Sequence, residues 1–230
     1  MTMNRALLCL LFVLLVGTSC LRAQSSQEAL TPEQLSQLLK EEWTFLHETV
    51  DEFLKATATR DEFETVPEYE VRMARERKAY LGKVESHVNE KKLGARIFST
   101  LFKAQFVRYH IDSAYYAITA PVPIEAPYDI PQLSTVVPEN PFLGLADTTE
   151  RGFRKSNLFL KFRPEFRWSV TREIARAARE DSANVAFRVR FLLNLAQDAS
   201  SKQAVLRIIP REIALVNALR KNVYWKEDIK

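Results

Sequence analysis

"NVAFRVRFLLNL", residues 184 to 195, decides how this chain is read. Val185, Phe187, Val189, Phe191, Leu193 and Leu195 take every second position, with Arg188, Arg190 and Asn194 among those between. Side chains alternate faces along a strand, so the six apolar groups share one side and the two guanidinium groups the other. β-Branched and aromatic residues suit that pleated, half-buried setting. The segment is predicted as a strand with one face in the core.

The neighbours extend the reading in both directions. "QAVLRII" (203–209) and "REIALVN" (211–217) bracket Pro210. They read as one strand bent or bulged there, because proline cannot donate to a ladder. Upstream, "WSVTREIARAARED" (168–181) reads as a short helix with Val170, Ile174, Ala177 and Ala178 on one face. "NLFLKFR" (157–163) precedes it as a strand, so the unit 157–195 can supply one parallel pair. Phe106, Arg108 and His110 alternate with Val107, Tyr109 and Ile111; Asp112-Ser113 signals a turn, and Tyr116, Ile118, Ala120 and Val122 alternate again. That is a β-hairpin. Between hairpin and strand, prolines 121, 123, 127, 131, 138 and 141 forbid a helix or a central strand. The stretch 121–156 is predicted as an irregular proline-rich loop.

The N-terminal part has the other period. Thr31 with Gln34 and Thr65 with Glu68 each spell a capping box with proline in the first turn. Leu35, Leu38, Leu39, Trp43, Leu46, Val50, Phe53 and Leu54 recur at helical spacing after the first box. Tyr69, Met73, Tyr80, Leu81, Val84 and Val88 do so after the second. Helices over 32–57 and 66–90 follow, the second resuming after Gly94 through Ile97, Leu101 and Phe102. The expected fold is α+β: an amphipathic helical hairpin, then a mostly antiparallel sheet with one short helix. The expected organisation is a signal peptide over 1–23, a helical region over 24–102 and a sheet domain over 103–230.

The first residues read as a secretory leader: Asn4-Arg5, then the apolar run Ala6 to Val16, then Gly17-Thr18-Ser19. The run is too short to span a bilayer, and no later stretch is apolar enough. Two cuts compete. Cleavage after Ala23 would discard Cys20 and make Gln24 the N-terminus; cleavage before Cys20 would retain it as a lipidated, membrane-anchored residue. The reading favours Ala23. Either way Cys9 and Cys20 are the only cysteines, so the mature chain has no disulfide framework and no thiolate metal site.

Charge is unevenly spread. Residues 31–91 hold 14 acidic and 9 basic side chains, and residues 150–230 hold 9 acidic and 18 basic. The halves can attract each other, or the basic half can face an anionic partner. Arg172, Arg176 and Arg179 share one face of the short helix, opposite Val170, Ile174 and Ala177. With Arg188 and Arg190 they form the candidate binding set, since guanidinium groups suit carboxylate or phosphate. Glu48, Asp51 and Glu52 share a side of the first helix, and Asp61, Glu62 and Glu64 crowd the inter-helix turn. They are the alternative, a hydrolase-like acid–base set.

No HExxH, GxSxG, Walker loop or GxGxxG occurs, and His47, His87 and His110 have no nucleophile or metal spacing. No cofactor, metal or catalytic residue is expected. "FETVPEYEVR" (63–72) resembles a ten-residue segment, F-E-T-x-x-E-Y-x-x-R, found in bacterial envelope proteins of unknown function. The resemblance implies a bacterial, exported protein and no activity. The sequence therefore points to a non-catalytic binding or structural module, periplasmic or secreted. Its expected partner is an envelope protein, anionic lipid or glycan, rather than nucleic acid.

Overall fold

The computed structural model describes residues 29–121, 124–125, 133–135, 140–150, 153–162, 165–197 and 204–230. The leader, with Cys20 and both candidate cuts, lies outside them, as do Arg163 and most of 122–139.

Both capping boxes form. The Thr31 and Thr65 hydroxyls accept from the Gln34 and Glu68 amides, and those side chains accept in return from the cap amides. Helices α1 (Pro32–Thr57) and α2 (Val66–Lys91) start there. The α2 helix stops at Lys92, whose left-handed backbone turns its amide back to Asn89 and Val88.

Strands follow: β1 (Phe98–Lys103), β2 (Gln105–His110), β3 (Tyr115–Thr119), β4 (Ile124–Glu125), β5 (Leu133–Thr135), β6 (Leu143–Glu150), β7 (Phe153–Leu160) and β8 (Phe166–Ser169). Helix α3 (Arg172–Glu180) and a 3-10 turn (Ser182–Asn184) lead to β9 (Val185–Gln197), β10 (Ala204–Asn217) and β11 (Asn222–Asp228). The main sheet runs β1-β9-β10-β11, antiparallel, with β5 parallel to β10. A second sheet runs β2-β3-β8 and a third β4-β7-β6. The fold is α+β: two N-terminal helices, then mostly antiparallel sheets and a short helix.

All six alternating residues of β9 are buried. Register puts Phe98, Thr100 and Phe102 of β1 and Leu206, Ile208, Ile213 and Leu215 of β10 on the same face. The α1 helix crosses this sheet and buries Leu35, Leu39, Leu46 and Val50. Burying each such side chain stabilises by about 1.5–3 kcal/mol. The β10 bulge falls where proline placed it, between Pro210 and Glu212.

Four expectations need correction. Residues 97–102 are not a resumed helix: Phe98, Thr100 and Phe102 alternate onto the core face as β1, so the sheet begins five residues before 103. A short apolar run fits either period, and the partner strand decides. The stretch to 156 is not all irregular, because β6 and the first half of β7 form a hairpin there. Gly144 lies opposite Phe159, and a Cβ on it would come within 2.6 Å of the Phe159 ring. The glycine that looked like loop is room for a cross-strand aromatic. The parallel pair is β5–β10 and not the unit 157–195, whose strands lie in different sheets. Finally, α3 buries Ala175 and Ala178, whereas Ile174 and Ala177 are exposed.

Candidate functional site

The bulge after Pro210 changes which side chains of β10 face outward. Beyond it, Glu212 lies opposite Arg190 and Ala214 opposite Arg188, on the face away from Val189 and Phe187. On β11, Asp228 aligns with Glu212 and Lys226 with Ala214. Three cations thereby converge on one carboxylate. Arg188 Nη2 donates to Glu212 Oε1 at 2.9 Å, Arg190 Nη1 to Oε2 at 3.3 Å, and Lys226 Nζ lies 3.3 Å from Oε2. Lys226 also pairs with Asp228 at 3.2 Å.

Glu212 is 5% exposed, but the cations around it are one-third to one-half exposed. Burial pushes the Glu212 carboxyl up; hydrogen bonds from Arg188 and Lys226 and the charges of Arg188 and Arg190 more than reverse this. Its pKa ends below the usual carboxylate value. Three cations face two carboxylates, so the cluster keeps a positive surplus. Arg188 Nε is buried without a hydrogen-bond partner. Glu212 carries no sequence signal of its own; only the bulge, read through Pro210, aims it at the arginines.

Of the five predicted arginines, two share one partner. Arg188 and Arg190 meet at Glu212. Arg179 lies one turn from the buried Ala175, bordering the packed side, and donates to the Phe106 carbonyl at 3.1 Å. It ties α3 to β2 and serves the structure. Arg172 and Arg176 are exposed and make no ion pair among the described residues. The arginine face adjoins the buried side instead of opposing it.

Among the described residues, each ion pair joins partners within one half. His47 pairs with Asp51, Arg72 with Glu64, Lys83 with Glu52 and His87 with Glu42 in the helices. The C-terminal pairs centre on Glu212 and Asp181. Several candidate carboxylates have such local tasks: Glu52, Asp51 and Glu64 pair as above, and Asp61 accepts from the Phe63 amide. Glu42, the one buried helix carboxylate among the described residues, was not legible. It is 1% exposed, and His87 Nε2 reaches it at 2.7 Å from 45 positions away, with Phe45 stacked on the imidazole.

The "FETVPEYEVR" segment braces the end of the hairpin. Arg72 binds both Glu64 oxygens at 2.8 Å and donates to the Ala56 and Thr59 carbonyls. The hydrogen bond to Glu64 holds that carboxyl below its usual value. Tyr69 donates to the Thr57 carbonyl, and Thr65 with Glu68 forms the box. Arg72, held by Glu64, and Tyr69 thus fasten α2 to the end of α1, while Thr65 and Glu68 cap the start of α2. No family model matches the chain, and no curated protein or solved structure matches it.

Proposed function

We propose that this protein is a non-catalytic binding module of a bacterial cell envelope, exported by its apolar leader and periplasmic or secreted after cleavage at Ala23. It takes an anionic lipid, glycan or acidic protein on the outer face of its main sheet. The observation that carries this reading is the cation surplus at Glu212: Arg188, Arg190 and Lys226 on one buried carboxylate, one-third to one-half open to solvent. An anion arriving there meets guanidinium donors already held in place, so little side-chain ordering remains to oppose binding. Among the described residues the ion pairs stay within each half, which supports it too.

The double variant Arg190→Gln/Lys226→Gln removes two cations and leaves Arg188 on Glu212. It should bind phosphatidylglycerol vesicles about tenfold more weakly than the wild type, and salt should weaken the wild type in the same direction. Equal binding by both proteins sinks the assignment. Intact mass of the secreted protein tests the location: a chain starting at Gln24 is expected, and a lipid-bearing Cys20 would make it a membrane-anchored lipoprotein.

A further inference from the structure

The second sheet carries hydrogen-bond donors on its outer face, and among the described residues none of their cross-strand partners is acidic. Register places His110, Tyr115 and Ser169 in one cross-strand row, and Arg108, Ala117 and Arg167 in the next. The other face holds Phe106, Tyr116, Ile118 and Trp168, all buried; in the two rows Arg108, Arg167 and Ser169 are exposed and His110 and Tyr115 half-buried. Tyr115 stacks on His110 with centroids 4.3 Å apart and planes 16° apart. The Arg167 guanidinium carbon lies 5.3 Å from the centre of the Tyr115 ring. That contact holds the guanidinium in place without using its N–H groups. Arg108 and Arg167 are exposed, and neither makes an ion pair among the described residues. Ala117 between them is itself fully buried, and their backbones stand two strand spacings apart, about 10 Å.

We propose that this face binds an acidic polysaccharide, its carboxylate groups taken by Arg108 and Arg167 and its hydroxyls by His110 and Tyr115. A guanidinium fork matches a carboxylate in both geometry and charge. Two such forks on strands two spacings apart fit a ligand whose acidic groups repeat along a chain better than a single small anion. The site uses different strands from the Glu212 cluster, and it stands or falls separately.

Polygalacturonate, immobilised, is the probe, with neutral dextran and phosphatidylglycerol vesicles as comparison arms. The wild type should be retained on polygalacturonate, pass through dextran, and be released by salt. Arg108→Gln/Arg167→Gln should bind the polymer at least about tenfold more weakly, the loss of one strong charge-assisted contact or more. Lys78→Gln, the same charge change on the exposed side of α2, should bind as the wild type does. Should the double variant unfold, Arg108→Gln alone decides, because it leaves the Tyr115–Arg167 contact in place; a loss of about threefold or more is expected. The proposal is overturned if the wild type ignores polygalacturonate or if the arginine variants bind it unchanged. It is also overturned if the same arginines are needed for the vesicles and not for the polymer.

Discussion

Glu212 shows how one side chain organises a surface. Its carboxylate is buried and holds three cations, so ionising it stabilises the fold only while they remain charged and close. Its pKa lies below the ordinary 4.5 in the folded protein. A carboxyl depressed on folding contributes stability that is present above its unfolded pKa and is lost as pH falls through the folded value. Wild-type stability should therefore decline below about pH 4.5. Glu212→Gln should cost about 3 kcal/mol near neutral pH, because it leaves the cations without their partner. The gap between variant and wild type should narrow as the medium is acidified. Urea midpoints of both proteins between pH 3 and 7 measure it; a gap that does not change with pH means that the cluster is not held by charge. Arg188 and Arg190 were legible as outward-facing residues from alternation alone. Their partner was not, because alternation counts along one strand and the bulge resets that count on the next.

The helical hairpin shows what local sequence can and cannot specify for an element. Thr31, Gln34, Thr65 and Glu68 are three residues apart in each box, so their bonds are written within a single turn and both helix starts were readable. His87 and Glu42 meet across the hairpin, and no spacing announces that. Their bond closes a part-buried polar gap between α1 and α2. Removing one partner leaves the other unsatisfied, so His87→Ala should destabilise the protein by about 3 kcal/mol. Replacing both with leucine removes the need for a partner and should be neutral within about 1 kcal/mol or stabilising. Hydrogen exchange of α1 and α2 amides separates the two cases. Equal losses in the single and double variants would show that the pair contributes packing, not a bond. The same distinction explains the missed β6–β7 hairpin. Gly144 reads as a loop residue until Phe159 is known to lie across it, and that partner is fifteen positions later.

At the scale of the whole molecule, β9 joins everything. It pairs with β1 and β10, and its core face is covered by α1 and by Phe162, just after β7, and Phe166 of β8. Phe187 is the point of contact: it is fully buried, and its ring centre lies 4.8 Å from that of Phe162 and 5.3 Å from that of Phe166. Phe166 in turn packs on Trp225 of β11. One phenylalanine therefore links the main sheet to β8 and to the edge strand at once. Truncating it removes the ring and leaves a cavity that three elements cannot all close, so Phe187→Ala should cost about 3–5 kcal/mol. The loss should be felt everywhere, because helix and sheets share one core cluster. Trp43, Trp168 and Trp225 report from α1, β8 and β11, while far-ultraviolet circular dichroism weights the helices. Both signals should shift to the same lower urea midpoint in the variant, as a single cooperative transition requires. If the helical signal survives while tryptophan emission changes, the hairpin folds on its own and β9 is not the centre that its alternation implies. A cost below about 1 kcal/mol, the size of an ordinary surface substitution, would place its apolar face outside the core.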